Sequence, residues 1–142
     1  MRILASNPDT IGDLVLRQPL YDALLNAGHE LTLIVRPLLA PIMDCIAPGA
    51  RILVCSHNVY DPRLSAESPE FDDVVAAAKQ SEPDLLLIAP FQWTALDERL
   101  SAAMPDRNFA AIQPRGLEER ARPDRSVVAA ARRNVAAMRL VQ

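Results

Sequence analysis

The chain has 142 residues, of which 50% are hydrophobic and 23% are charged, and its formal net charge is −3. This length suits one domain that buries about 68–70% of its unfolded surface. Nucleic-acid-binding proteins normally carry a net positive charge, so the acidic balance argues against that class. No apolar run approaches the roughly 18 residues that a spanning helix needs. The early apolar run stops at Ala5, before Pro8, which argues against a signal peptide.

The cysteines and histidines give no indication of a metal site. Cys45 and Cys55 form no Cys-x-x-Cys pair, and His29 and His57 do not stand at metal-ligand spacing from them. Two isolated thiols are typical of a reduced, cytoplasmic protein. We therefore expect a cytoplasmic chain without a bound metal or cofactor.

Strand-like and helix-like patterns alternate along the chain, which predicts a parallel sheet with crossover helices. We predict a Rossmann-like, doubly wound α/β domain. The predicted strands are residues 3–5, 31–35, 51–55, 84–89 and 108–112, and the predicted helices are residues 11–25, 37–47, 71–78 and 93–104. Pro19 falls inside the first helix, where proline costs about 3 kcal/mol or bends the helix, and Gly28 is the predicted stop. The connection at residues 56–69 is unusually long, as many functional loops are.

The last thirty residues differ in composition from the rest of the chain. Residues 113–124 are charged and contain two prolines and Gly116, which predicts a linker. Residues 125–142 follow with an amphipathic pattern that predicts a tail helix. Without a second domain this helix would be poorly anchored, or its apolar stripe would pack on a neighbouring chain, as in a homo-oligomer, or on a partner. Seven arginines and three acids from Arg115 onward could meet a phosphorylated or membrane-borne partner, or form a solvated helix face.

The loop after the first strand is the strongest functional signal. Thr10-Ile-Gly-Asp13 opens the first helix directly after the strand, so Asp13 lies at the carboxyl edge of the sheet, where α/β proteins bind ligands. Met-Arg-Ile-Leu, a polar loop, Gly-Asp, a short apolar run, Pro and Leu together resemble the opening of the lipopolysaccharide heptosyltransferase family. The proline inside the first helix is a further point of resemblance.

The resemblance implies a two-domain GT-B glycosyltransferase, of which these 142 residues cover the N-terminal, acceptor-side domain. The donor domain is then absent, since no glycine-rich donor motif occurs in the chain. Such an enzyme transfers a sugar, with inversion and without a metal, from a nucleotide-sugar such as ADP-heptose to a glycan or glycolipid acceptor. The family implies bacterial lipopolysaccharide synthesis in the cytoplasm, at the inner face of the inner membrane, with peripheral membrane association. The alternative is a non-enzymatic Rossmann-like module that binds a small molecule or a partner protein.

Two interpretations of Asp13 are open. In the resembling family this aspartate is the catalytic base that removes the proton from the attacking hydroxyl. Thr10-x-x-Asp13 is also a capping-box pattern, with Asp13 near the positive end of the helix dipole. One carboxylate can serve both purposes through different oxygens.

Other residues of the same edge are candidates for acceptor binding. Ser6, Asn7, Asp9 and Thr10 line the loop, and Asn7 and Thr10 are preferred because neutral donors orient sugar hydroxyls. Gly12 would let the acceptor approach. Arg17, four residues after Asp13, either pairs with that carboxylate or contacts an anionic acceptor, and the ion pair is the preferred interpretation.

The fourth strand brings a second group of candidates to this edge. Gln92 and Trp93 follow that strand, and Trp93 either stacks on a sugar ring or belongs to the core. The resembling family often has a more glycine-rich turn with an acidic residue here, so the acceptor's identity is open. His57 and Arg63, in the long loop, are further candidates for acceptor contact.

Overall fold

Five strands and four α-helices alternate in the computed structural model, which describes residues 1–112. The strands are β1 (Arg2–Ser6), β2 (Glu30–Val35), β3 (Arg51–Val54), β4 (Leu85–Ile88) and β5 (Asn108–Ala111). The helices are α1 (Ile11–Asn26), α2 (Met43–Ile46), α3 (Asp72–Gln80) and α4 (Ala95–Ala103). The predicted linker at 113–124 and tail helix at 125–142 lie outside the described residues. Among the described helices, none is long and apolar enough to cross a membrane.

The sheet confirms the predicted doubly wound α/β fold. Its strand order is β3-β2-β1-β4-β5, and every neighbouring pair is parallel. The chain therefore builds outward from β1 to β3 and then crosses to the other side of β1 to form β4 and β5. Strand order reverses between β1 and β4, and this is the switch point at which open α/β sheets bind their ligands.

Helices cover both faces of the sheet because successive strand residues point to opposite sides. Ile3 and Ala5 of β1 join one buried cluster together with Leu14 and Tyr21 of α1. Leu4 joins the other cluster, which contains the apolar residues of α3 and α4. All four residues of β4 are buried, as expected for a strand covered on both faces.

Helix α1 runs through its internal proline without a break. Pro19 lies on the exposed side of a continuous helix that ends at Asn26. Gly28 follows with a φ of +77° and donates its N–H to the carbonyl of Leu25 (2.9 Å). A residue with a side chain is strained at this φ, so the predicted helix stop at Gly28 is confirmed.

Three predicted helices differ in their boundaries. The segment predicted as one helix at 37–47 is a 3-10 helix, Pro37–Ile42, followed by the single turn of α2. Pro41 lacks the N–H that a regular α-helix would use there. A second 3-10 turn, Pro69–Phe71, leads into α3. Helix α4 begins only after Thr94, so Trp93 lies outside it.

Candidate functional site

The switch point lies where the chain leaves β1 and β4 at the carboxyl edge of the sheet. The backbone N–H of Ala89 still donates to Ser6 (2.9 Å), whereas the N–H of Asn7 donates to Ile34 of β2 (3.0 Å). The loop at 7–10 and the loop at 89–94 follow these bonds, and we call the switch point between them the crevice. This is the edge at which the sequence predicts the site.

Asp9 joins the two sides of the crevice. Its side chain is buried, with 2% exposure, and its two carboxylate oxygens accept hydrogen bonds from different loops. The Tyr60 hydroxyl donates to one oxygen, and the backbone N–H of Phe91 donates to the other (2.8 Å). Burial raises the pKa of the Asp9 carboxyl and the negative charge of Asp13 adds to this effect, whereas both hydrogen bonds oppose it.

Arg36 and Tyr60 attach the long loop at 56–69 to the same edge. Arg36 follows β2, and its Nε donates to the carbonyl oxygen of Pro8 (2.7 Å). Its guanidinium carbon lies 5.5 Å from the centre of the Tyr60 ring, within range of a cation–π contact. The loops that follow β1, β2, β3 and β4 are thus held together by Asp9 and its neighbours.

A second buried carboxylate, that of Asp97, connects the end of β1 to the start of α4. Asp97 is fully buried and accepts a hydrogen bond from the Ser6 hydroxyl (2.6 Å) at the end of β1. It also accepts from the N–H (2.9 Å) and hydroxyl (2.7 Å) of Thr94, which completes a capping box at the start of α4. Burial raises the pKa of Asp97 to about 6, against the effect of these hydrogen bonds.

Asp13 lies in the first turn of α1, close enough to buried Asp9 for its charge to raise the pKa of that carboxyl. Arg17, one turn further along the same side, donates from Nε to the carbonyl oxygen of Ala89 at the end of β4 (3.1 Å). The preferred ion pair between Arg17 and Asp13 is therefore wrong for the described part of the chain. Because Arg17 bonds to the end of β4, it leaves the half-buried Asp13 carboxylate without an ion pair among residues 1–112.

The expected capping box at Asp13 does not form. Thr10 occupies the N-cap position, but its side chain accepts no backbone hydrogen bond. Instead, the Thr10 hydroxyl donates to Oδ2 of Asp13 (2.8 Å). Both groups can exchange hydrogen bonds with water, so nothing forces the capping geometry here. Asp13 still lies in the first turn of α1, where its negative charge interacts favourably with the helix dipole.

The remaining loop candidates divide between exposed and buried positions. Gly12 and Gln92 are exposed, and a Cβ on Gly12 would meet only the Thr10 hydroxyl at 3.9 Å. Asn7 is fully buried and donates to the Tyr21 hydroxyl oxygen (2.5 Å), so it supports the loop from inside and presents no surface to an acceptor.

Trp93 is buried, whereas the two long-loop candidates, His57 and Arg63, are exposed. Trp93 is 5% exposed and packs edge to face on Phe109, with ring centres 5.9 Å apart. The core interpretation of Trp93 is therefore confirmed, and its ring offers no face for a sugar. Arg63 is tied to Asp61 (2.6 Å), and the side chain of His57 is exposed.

Two solved glycosyltransferase structures resemble the chain in three dimensions. Glycosyltransferase VinC in complex with DTDP matches with a TM-score of 0.52 and 21% identity over 78% of this chain and 34% of its own. The glycotransferase of kitacinnamycin matches with a TM-score of 0.53 and 22% identity over 99% of this chain and 40% of its own. The fold is that of one Rossmann-like domain of a GT-B glycosyltransferase.

The other comparisons set the limits of this assignment. No family model and no curated protein matches the sequence. The chain spans 34% and 40% of the two matched structures, well under half of each. The likeness thus establishes the fold and does not extend to the heptosyltransferase family.

Three residues central to the edge were missed or ranked low from the sequence. The sequence pattern ranks Asp9 below its neutral neighbours in the loop, and it singles out neither Tyr60 nor Arg36. Tyr60 is one of only two tyrosines in the chain and lies in its longest predicted loop, which was the one local signal for it. Within residues 1–112, no group of three or more His, Cys, Asp or Glu side chains is arranged to hold a metal ion.

Proposed function

We propose that this chain is the acceptor-side domain of an inverting, metal-independent glycosyltransferase in which Asp13 is the general base. The supporting observation is the position of Asp13, a half-buried carboxylate at the switch point of a fold shared with glycosyltransferases. Exposed Gly12 precedes it, and its missing side chain leaves room for an approaching molecule beside the Thr10 hydroxyl.

The geometry around Asp13 suits proton removal. Thr10 donates to Oδ2, and within residues 1–112 the other oxygen, Oδ1, accepts no hydrogen bond. We assign Oδ1 to the acceptor hydroxyl. As that hydroxyl oxygen attacks the anomeric carbon of the donor, Oδ1 takes its proton, and the bond between the sugar and the nucleotide diphosphate breaks. Attack opposite the leaving group inverts the configuration.

The donor and its binding site belong to the same proposal. The family resemblance favours ADP-heptose, whereas one matched structure is in complex with DTDP. We propose that a second domain outside these 142 residues supplies most of the donor contacts, and that the isolated chain therefore turns over no substrate. Catalysis needs donor and acceptor held together in a reactive geometry. A glycan or lipopolysaccharide-type acceptor and a cytoplasmic location at the inner membrane complete the proposal and rest on the resemblance.

The test is Asp13→Asn in the full gene product, assayed with ADP-, dTDP- and UDP-sugars. Asparagine keeps the size of the side chain and can still accept the Thr10 hydrogen bond, but it takes no proton at neutral pH. We expect kcat to fall by roughly 10²–10⁴, the usual value of general-base catalysis, with stability nearly unchanged.

Asp22→Asn is the matched control on the same helix. Asp22 lies nine residues further along α1, roughly 14 Å along the helix axis, and should leave turnover unchanged. Full activity in Asp13→Asn would remove Asp13 from the mechanism. Binding of small molecules or a protein partner without any sugar transfer would favour the non-enzymatic module.

A further inference from the structure

The solvent side of α1 is apolar along the helix. Among the exposed positions of α1 only Asn26, in the last turn, has a polar side chain, and the others are Ile11, Gly12, Val15, Leu16, Pro19 and Ala23. An ordinary surface helix carries polar and charged side chains on its exposed side. We call the four exposed residues that follow the first turn the α1 stripe, namely Val15, Leu16, Pro19 and Ala23.

The α1 stripe is one continuous surface. Its members are three or four residues apart or adjacent, so they are neighbours on the helix. Leu16 is 75% exposed and Val15 is 48% exposed. The charged side chains of α1 are instead half-buried, and Arg17 among them donates to the carbonyl oxygen of Ala89. A continuous apolar surface that carries no charge of its own indicates an interaction site.

The charge of the surrounding domain favours a basic occupant. Residues 1–112 contain 15 acidic and 8 basic residues, which gives a formal net charge of −7. A second copy that placed its own α1 stripe here would bring two such acidic bodies together. An anionic membrane surface would repel them as well. The α1 stripe therefore suits a partner that combines an apolar side with positive charge.

The C-terminal segment of the same chain has this chemistry. Residues 125–142 contain four arginines and no acidic residue. Their apolar residues recur at helical spacing, at Val127, Ala131, Val135 and Met138. In a helix these positions span about 17 Å, and the α1 stripe from Val15 to Ala23 spans about 12 Å, so the segment is long enough to cover it.

The chain between the two partners is long enough to join them. Strand β5 ends at Ala111, and because all five strands are parallel it ends at the same edge at which α1 begins. Strand β5 lies two strands from β1, roughly 10 Å away at the usual strand spacing. The intervening residues 113–124 reach up to about 40 Å when extended. The segment can therefore begin beside α1 and run in the same direction.

We propose that residues 125–142 dock as a helix on the α1 stripe of their own chain, parallel to α1, with their apolar side on the stripe and their arginines toward the acidic domain. The first turn of α1, with Gly12 and Asp13, stays outside this contact. The docking gives the tail an anchor within its own chain, in place of the neighbouring chain considered from the sequence. It is independent of the proposed function, because it needs neither substrate nor transfer.

The test is photo-crosslinking of the 142-residue chain with p-benzoylphenylalanine in place of Leu16. Gel electrophoresis separates the monomer from a cross-linked dimer, and mass spectrometry identifies the peptide that has reacted. We expect the main cross-link to join position 16 to residues 125–142 within the monomer. Because Leu16 is strongly exposed, the new side chain should be tolerated by the fold.

Two matched controls belong to this test. Ala76 is an exposed apolar residue of α3, whose buried side chains pack on the other face of the sheet, so p-benzoylphenylalanine at position 76 should not react with the tail. Within the tail, Val135→Asp places a charge in the apolar contact and should lower the cross-link yield from position 16 at least about fivefold. Ser126→Asp adds the same charge on the opposite side of the predicted helix and should leave the yield unchanged.

Three outcomes would overturn the inference. A cross-link from position 16 to the tail found only in the dimer would assign the α1 stripe to a second copy. Equal reaction of the tail with positions 16 and 76, or equal yields in Val135→Asp and Ser126→Asp, would show that the tail has no specific seat on α1. Flotation with phosphatidylserine vesicles, without any tail cross-link in their absence, would assign the tail to a membrane surface.

Discussion

Gly12→Ala is expected to make the chain more stable and to lower glycosyl transfer, two effects of opposite sign from one methyl group. A Cβ at Gly12 would meet only the Thr10 hydroxyl at 3.9 Å, which is ordinary van der Waals contact. Gly12 lies in the first turn of α1. Alanine is favoured over glycine in a helix by up to about 1 kcal/mol, so Tm should rise by roughly 2–6 °C.

The same methyl group would occupy the space that we assign to the acceptor. Inserting one methyl into a packed contact costs about 1–3 kcal/mol, and if the transition state bears this cost, kcat/KM falls about 5- to 160-fold. Thermal unfolding of the 142-residue chain and turnover of the full gene product measure the two effects separately.

Gly28→Ala is the control at the other end of α1. Its φ of +77° strains any residue with a side chain, so the variant should lose about 1 kcal/mol of stability without a change in kcat. A stabilised Gly12→Ala with full activity would show that no acceptor approaches Gly12. A destabilised Gly12→Ala would refute the expectation that a Cβ fits at position 12 without a clash.

Two further predictions concern the buried carboxylates. The folded chain holds the Asp97 proton more tightly than the unfolded one, with a pKa of about 6 against an ordinary 3.8, so the contribution of Asp97 to the unfolding free energy should fall by about 2 kcal/mol between pH 4 and pH 7. Urea titrations should show this slope reduced in Asp97→Asn, and an unchanged slope would contradict the assignment. Tyr60→Phe removes a donor to Asp9 and should cost about 1–3 kcal/mol. This loss should be larger at pH 8 than at pH 4, because the hydroxyl stabilises the ionised carboxylate, and an equal loss would count against the contact.

Local sequence was sufficient to predict the strands and helices, and the edge of the sheet at which the candidate site lies. The period of apolar residues in α3, the unbroken apolar run in β4 and the glycine at position 28 each act over a few neighbouring residues. Hydrophobic periodicity and backbone preference operate on that scale. The alternation of strands and helices then predicted the parallel sheet, and Asp13 followed as a residue at its carboxyl edge.

The contacts that shape the crevice depended on tertiary structure. Thr10-x-x-Asp13 and Thr94-x-x-Asp97 have the same spacing, yet only the second forms a capping box. Thr94 and Asp97 are buried against Ser6, where every donor must find a partner, whereas Thr10 is exposed to water.

Long-range pairing explains why these contacts escaped prediction. Ser6 and Asp97 are 91 residues apart, Arg17 and Ala89 are 72 apart, and Tyr60 lies 51 residues from Asp9. Such pairs meet because strand order places β4 beside β1 and brings the loops after four strands to one edge. Periodicity is a local property and carries no information on strand order, so the sequence by itself determined the elements and their edge, whereas the tertiary structure decided which side chains meet there.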